Sequence, residues 1–429
     1  MATAIGQAVP TARTFDLKRY FQFFLLLLAA GAIYPLLYLR QNFETPILEA
    51  FQITSSDLGN YYSMLGVMYF LCYVPSGWLA DRLSPRLLVT VSMIGTGALG
   101  LWFASIPSKE LLVYIFMAWG IAAGLTFWAS MLKGVKMLAQ KNEQGKFFGI
   151  LDGGRGLVEA VLATIAIGIF AYALETKGQS NTVALQQVIY MYSYTCIAIG
   201  VLVFLFLRTS PEEATEETNT ESKGNLLANL KFLAKIPELW MVALVIFCGY
   251  QLFWATYSFS AFMQEGNEIT AVTAGFITVA KLWMRPIGGI GGGFLGDRYG
   301  KENILAICLL GASLGLVLLM VIPQLQTIYF LLAVVLLIGV LTYAIRGLYW
   351  AILDGCDIPL HVTGLAIGVV SLIAYTPDIF LPQINGFIAA RYEGLTVYHL
   401  YFGYIAIMGL IGAVAALKLK SMIAKKQAV

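Results

Sequence analysis

Seven ionisable residues fall within stretches apolar enough to lie inside a lipid bilayer: Asp152, Arg155, Glu159, Lys281, Arg285, Arg346 and Asp378. Each ionised group at bilayer mid-depth costs roughly 2.5–3.5 kcal/mol on insertion scales, so this many in one chain require a role. Spacings of three and four put Asp152, Arg155 and Glu159 on one helix face, where two acids can flank a base. Lys281 and Arg285 are like charges one turn apart with no acid on their own helix, an arrangement that calls for an anion from elsewhere. With Arg40 included, five bases (Arg40, Arg155, Lys281, Arg285, Arg346) face three acids (Asp152, Glu159, Asp378). A cavity with that excess suits an oxyanion, because each guanidinium fork donates two parallel hydrogen bonds. Glu159 and Asp378, with Asp152 beside them, are candidate proton carriers, since a carboxyl group in a partly dry site can hold a proton near neutral pH. Structural pairing is the competing reading: the three α-helical charges as a self-neutralising cluster, and Glu159 or Asp378 as partners of Lys281 and Arg285.

The elements that position these residues are membrane helices. Of 429 residues, 59% are hydrophobic and 12% charged, with mean hydropathy +0.77; a soluble domain carries about twice that charge. Apolar segments near the ~20 residues that span hydrocarbon recur along the whole length. We read twelve, at about 20–43, 57–80, 86–106, 111–138, 145–174 and a sixth ending near 207, then 238–263, 269–295, 304–322, 328–353, 362–390 and a last one closing at Lys418 and Lys420. The expected fold is thus an all-α membrane protein with two pseudo-symmetric six-helix bundles. These are residues 1–207 and 238–429, joined by a cytoplasmic linker at 208–237 whose Thr209 to Lys223 stretch is acidic and lacks apolar periodicity. Residues Leu226 to Lys235 suit an amphipathic helix at the membrane surface. The first span lacks the short apolar core and small-residue cleavage site of a signal peptide. With the N-terminus inside, nineteen Lys and Arg lie in cytoplasmic segments and four (Arg40, Lys109, Lys177, Arg391) outside. The positive-inside rule then puts both termini in the cytoplasm. Lys133 and Lys136 read as interfacial anchors.

The halves are copies. Asp81 and Asp297, Arg82 and Arg298, and Leu125-Thr126-Phe127 and Leu341-Thr342-Tyr343 all share an offset of 216, which drifts to 219 for Gly145 with Gly364, Gly149 with Gly368 and Glu159 with Asp378. A constant offset marks duplication. The first copy of the repeated motif, Gly77 to Arg86, lies in the turn after the second span, and its echo, with Gly293, Asp297 and Arg298, follows the eighth.

That motif in that place, with six spans on either side, resembles the major facilitator superfamily of secondary transporters, and the likeness covers nearly the whole chain. The resemblance implies a latch holding the outward-facing state, carried by Gly77, Asp81, Arg82, Arg86, Asp297 and Arg298. A carboxylate at a helix end receives backbone donors, and the neighbouring Arg crosses the same crevice. Here Pro85 stands where a glycine is usual and Glu302 where a base is usual. Tyr38-Leu39-Arg40-Gln41-Asn42-Phe43, Asp57-Leu58-Gly59 and Ser84-Pro85-Arg86 are similar to the organophosphate:phosphate antiporter branch. That likeness implies a phosphate-binding role for Arg40, with Tyr38 beside it, and places Arg155 where a histidine is expected. The branch's second arginine, in the seventh span, is absent; Tyr250 and Gln251 stand there.

The expected function is alternating-access transport of a small organic anion (a sugar phosphate, sulfonate or carboxylate) through a midplane site between the halves, coupled to a proton or exchanged for a counter-anion. The protein is expected in the cytoplasmic membrane, as a monomer in lipid. Two rivals remain open: a proton-coupled efflux pump for cationic drugs, and a transporter-like sensor without flux. No nucleophile and base pair suggests an enzyme. Cys72, Cys196, Cys248, Cys308 and Cys356 form no disulfide or zinc pattern, and His361 and His399 lie apart, so no metal or cofactor is expected and no nucleic-acid partner. A formal GxGxxG at Gly291, Gly293 and Gly296 follows a membrane helix instead of a strand, which points to helix packing.

Overall fold

A computed structural model describes residues 17–139, 144–208, 226–267, 269–321, 328–356 and 358–427. The acidic stretch from Thr209 to Lys223, Arg13 of the basic tail and the side chains of Asp81 and His361 lie outside the described residues. Everything described is helix, turn or loop. The first bundle contains α1 (Leu17–Leu37), α2 (Arg40–Phe51), α3 (Ser55–Arg82), α4 (Pro85–Ala104), α5 (Lys109–Leu125), α6 (Trp128–Leu138), α7 (Gln144–Ala171) and α8 (Asn181–Phe206). After α9 (Leu226–Ala234), the second contains α10 (Pro237–Ala255), α11 (Phe259–Asn267), α12 (Ala271–Leu282), α13 (Met284–Tyr299), α14 (Lys301–Val321), α15 (Ile328–Leu348), α16 (Leu360–Ala374), α17 (Pro377–Ala389) and α18 (Leu395–Gln427).

These helices, α9 apart, make twelve spans, because five of the spans are built from two helices each: α1 with α2, α5 with α6, α10 with α11, α12 with α13 and α16 with α17. Ten of the twelve satisfy length and apolarity outright. The other two are α3 and the α12–α13 pair, which lie at the contact between bundles; α3 packs on α17, and α12 and α13 on α7. The twelve-span, two-bundle fold expected from the sequence is what the chain adopts.

Proline explains several breaks, since it lacks an amide hydrogen and its ring displaces the carbonyl four residues earlier. Pro46 stands four residues after Asn42, and Phe43 between them leaves helical geometry at φ −133°, ψ 32°. The Asn42 carbonyl, so released, accepts a hydrogen bond from the Ser260 hydroxyl of the second bundle at 3.3 Å. Pro286 likewise releases the Leu282 carbonyl, where α12 gives way to α13. Pro377 opens α17, with Tyr375 and Thr376 as the turn before it. Non-helical backbone at such depth is tolerated where it is buried in protein or lines a cavity.

The two bundles touch through α2 with α11 and α12, α3 with α17, and α7 with α12 and α13. α2, α11 and the start of α3 lie at the end opposite the start of α1 and the finish of α18, so that end is closed in this state. A side-chain carbon at Gly66 of α3 would lie 2.5 Å from the Asp378 carbonyl oxygen, and one at Gly59 would meet that of Pro382. Glycine is required for this approach. Within the second bundle, Gly288, Gly292 and Gly296 play the same part against α15: a carbon at Gly292 would lie 2.8 Å from Ala344 Cβ. Close packing is therefore the role of this glycine run, although the face used is 288/292/296; at Gly291 and Gly293 an added carbon meets nothing within 4 Å.

At the end where α1 begins and α18 finishes, Arg82, Asp297 and Arg298 of the repeated motif are exposed. Arg82 stacks on Trp78 of its own helix at 4.0 Å, Arg298 lies over the adjacent Tyr299 at 5.3 Å, Asp297 is exposed, and Arg86 sits over Phe204 at 4.7 Å. Lys133 donates to the Ala80 carbonyl at 2.6 Å, tying α6 to the last turn of α3, a contact the anchor reading did not foresee. α9 is helical as expected, with Leu233 buried and Lys231 exposed. A Gly66→Leu substitution should hold the bundles apart at the closed end. Spin labels at the exposed positions Glu49 and Glu265 should then report a longer distance than in the Gly66 protein, and an unchanged distance would refute the packing argument.

Candidate functional site

α7 presents Asp152, Arg155 and Glu159 on one face, and the break at Trp283 turns α13 so that Arg285 reaches them from the other bundle. Arg285 binds Glu159 Oε2 at 2.7 Å and Asp152 Oδ1 at 3.5 Å. Arg155 Nε approaches the same Asp152 oxygen at 3.4 Å and its guanidinium faces Trp128 at 5.4 Å. Gly156 makes room, because a carbon there would meet Arg285 Cδ. The three residues share one helix face as expected, but Arg155 pairs with Asp152 alone, and Glu159 takes its arginine from the other bundle. Arg285 needs no further anion: it has two carboxylates.

Lys281 does not join this cluster. The same helix break sends it into the second bundle, fully buried, where its ammonium donates to the Thr256 hydroxyl at 2.9 Å and lies 5.9 Å from the Phe259 ring. Thr256 is the first residue of the single 3-10 turn that separates α10 from α11.

Arg346, near the end of α15, is half-buried and has no carboxylate within ion-pair distance among the described residues. Its guanidinium lies 4.2 Å over the Phe253 ring and interacts electrostatically with Tyr250, Tyr257, Tyr349 and Tyr375. From the first bundle, Tyr34, Asp152 and Arg155 feel its charge.

Asp378 occupies the first turn of α17, 6% exposed. Its Oδ1 accepts from the Tyr250 hydroxyl at 2.7 Å and from Trp254 Nε1 at 2.6 Å. The aromatic wall continues on both sides. Tyr38 stacks on Tyr257 at 5.3 Å and on Tyr62 at 5.9 Å, and Trp350 Nε1 donates to the Tyr375 hydroxyl at 3.1 Å. Asp378 is thus held by Tyr250, one of the two residues standing where the antiporter-branch resemblance leads one to expect a second arginine, and by Trp254 one turn further on.

Arg40 lies elsewhere. It pairs with Glu44 at 3.0 Å, both side chains 2% exposed, and faces the Tyr62 ring at 5.2 Å in the plug that α2 makes at the closed end. Glu44 is a buried acid the sequence reading missed. Ending the first span at Phe43 put Glu44 outside the membrane, whereas the helix resumes at Arg40 and the four-residue spacing from Arg40 to Glu44 was the available signal. With Glu44 counted, five bases face four acids.

The fold and this site define a polytopic membrane protein with a charged, aromatic-lined centre between two helical bundles. Residues 20–382 match the Major Facilitator Superfamily, and the chain belongs to that family. It is 26% identical over 414 residues to Inner membrane protein YihN of Escherichia coli K12, covering 96% of this chain and 97% of that one. To Inner membrane protein YqcE of the same organism it is 28% identical over 376 residues, 86% and 87% of the two chains. A putative glycerol-3-phosphate transporter of Arabidopsis thaliana is 26% identical over 58% of this chain and 51% of its own, in keeping with the antiporter-branch likeness. Among solved structures, the nucleoside transporter NupG superposes with a TM-score of 0.71 at 15% identity, covering 94% of this chain and 99% of that one. An inward-facing, occupied bacterial homologue of the human lysosomal transporter Spinster gives 0.73 at 12% identity, over 95% and 98%. Those two likenesses are of fold.

Glu44→Ala leaves the Arg40 charge buried without its acid and should cost about 3–5 kcal/mol, read as a lower unfolding temperature in detergent. Replacing both, Arg40→Met with Glu44→Leu, should restore most of that loss, since it removes the charge together with its partner.

Proposed function

We propose that the protein is a secondary transporter that carries a small organic anion between the bundles by alternating access. The observation that carries this reading is Arg346: a half-buried guanidinium between aromatic rings, matched by no carboxylate among the described residues. An unmatched fork at this depth is costly unless an oxyanion completes it. Arg155 and Arg285, held by Asp152 and Glu159, flank the anion and set the potential around it, while Tyr38 and the neighbouring rings supply apolar faces for its organic part. Lys281 supports the site from within the second bundle, and Arg40 from the closed end.

Asp378 is the proposed coupling group. It lies beside the anion site, bonded by neutral donors only, so it can be charged or protonated without breaking an ion pair; Glu159 and Asp152, engaged with arginines, are the secondary candidates. A cation pump would need several carboxylates free to bind cargo, and Asp152 and Glu159 are held by arginines, which leaves Asp378 alone. The bundles, residues 1–207 and 238–429 with 208–237 between, would rock about the site, with the Asp81/Arg82 and Asp297/Arg298 motifs closing the end that is open here. We place that end in the cytoplasm and the protein in the bacterial inner membrane, on the charge bias of the loops and the relatives' names.

Proteoliposome uptake of a panel of radiolabelled organic anions tests the reading. Arg346→Ala should lower uptake at least tenfold with the protein still folded, and undiminished uptake would overturn the site. Asp378→Asn should retain anion exchange and abolish uptake driven by an imposed pH gradient; retention of gradient-driven uptake would remove Asp378 from the coupling step.

A further inference from the structure

The charges around the site add up unevenly, and one side chain sets the balance. Arg155 and Arg285 share the Asp152 carboxylate, at 3.4 and 3.5 Å, and Arg285 also holds Glu159 at 2.7 Å. Two guanidiniums and two carboxylates thus cancel. Lys281 is turned into the second bundle against Thr256, where it feels the Glu159 charge but forms no ion pair with it. What remains on the open side of the pairs is one guanidinium, Arg346, with Asp378 close enough to feel it.

One fork balances one negative charge. A carboxylate, sulfonate or sulfate ester carries a single charge that Arg346 alone can meet bidentately. A phosphate monoester at neutral pH carries between one and two, its second ionisation lying near pH ~6. Among the described residues the one other cation near the centre without a carboxylate, Lys281, is fully buried in the second bundle with its ammonium on the Thr256 hydroxyl, so the extra charge would find no second exposed fork. It would instead stand near Asp378 and the Asp152–Glu159 pair, where like charges in a poorly screened site repel.

We propose that the site selects monoanions over dianions, and that Asp152 is the residue that sets this selectivity by neutralising Arg155 and half of Arg285. The inference rests on the organic-anion reading above and narrows it: the cargo is a sulfonate, sulfate ester or carboxylate, with phosphate monoesters disfavoured. Asp152 suits the part because its side chain is 68% exposed, so it lies at the accessible edge of the cluster while Glu159, at 20%, lies deeper. Neutralising Asp152 would release Arg155 from its ion pair and leave Arg285 on Glu159 alone, turning a one-fork site into one with two available forks.

The test compares matched esters on the same organic frames, glycerol 3-sulfate against glycerol 3-phosphate and glucose 6-sulfate against glucose 6-phosphate. Binding is read as concentration-dependent thermal stabilisation of the full chain in detergent. At pH 8, where the phosphates are dianions, the sulfate of a frame should half-saturate at a concentration at least tenfold lower than its phosphate. At pH 5, where the phosphates are monoanions, the ratio should fall towards one, a result that needs no variant. Asp152→Asn should narrow or reverse the ratio at pH 8 by at least tenfold, mainly through tighter phosphate binding. Should that variant not fold, Asp152→Ser serves in its place. Phosphate preference in the unaltered protein at pH 8, or a ratio that ignores both pH and Asp152, overturns the selectivity proposal and leaves anion transport standing. If no ester stabilises the protein and an Arg346→Ala variant transports the anion panel unchanged, the anion reading itself fails.

Discussion

A charge inside a hydrocarbon-depth protein must find its counter-charge within the protein or in what the protein binds. This requirement arranges the centre of the molecule. Asp152 and Glu159 are separated by two helical turns on α7 with a single arginine between them, so one acid lacks a full partner on its own helix. Arg285 supplies the difference from α13, and in doing so becomes a covalently unattached strut between bundles. The Arg40–Glu44 pair satisfies the same demand locally, in the plug at the closed end. Asp378 meets it without a cation, through two neutral aromatic donors. Arg346 alone among the arginines near the centre does not meet it inside the described chain.

Proline works alongside this electrostatic constraint. Each of Pro46, Pro286 and Pro382 displaces a carbonyl one turn upstream, and two of these carbonyls lie at the contact between bundles: that of Asn42 receives Ser260, and that of Asp378 faces Gly66. A helix break thus has a chemical product, an acceptor or a close backbone surface offered sideways to the other half. The Pro286 break also decides where two charges go. On an unbroken helix Lys281 and Arg285 would share a face and repel; across the break, one enters the second bundle and the other crosses to the first.

These particulars explain what the sequence made legible. Span number, duplication and the one-face grouping on α7 follow from apolar length, constant offset and helical period, all local or strictly repeated signals. The partner of Arg285 was not legible, because it lies on a helix more than a hundred residues away and no spacing rule links them. Glu44 was hidden by a boundary set at Phe43, four residues past the break at Leu39, and the helix that resumes at Arg40 carries it inward. The divergence of Lys281 from Arg285 required knowing that Pro286 would end one helix and start another, a signal present in the chain but read as a single span. For the glycine run, close packing was foreseeable while the face was not, since only the neighbouring helix decides which third of the run is used.

The state of the molecule follows from combining these contacts. At one end α2 is wedged against α11 and α12, and at the other Arg82, Asp297 and Arg298 of the repeated motif are exposed, with both arginines stacked on rings of their own helices. The crossing pair of Arg285 with Glu159 and Asp152 lies between these ends, at the depth where α12 yields to α13. A ligand shifts such an equilibrium only by binding one state better than the other. On the transport reading, the anion does so by adding charge beside Arg155 and Arg285, which weakens their hold on Asp152 and Glu159 and so loosens the strut that joins the bundles. A protonated Asp378 acts in the opposite sense on the field at Arg346, leaving more of that guanidinium's charge for the anion. Cargo and proton would then be coupled through one set of ion pairs, with no contact between them required.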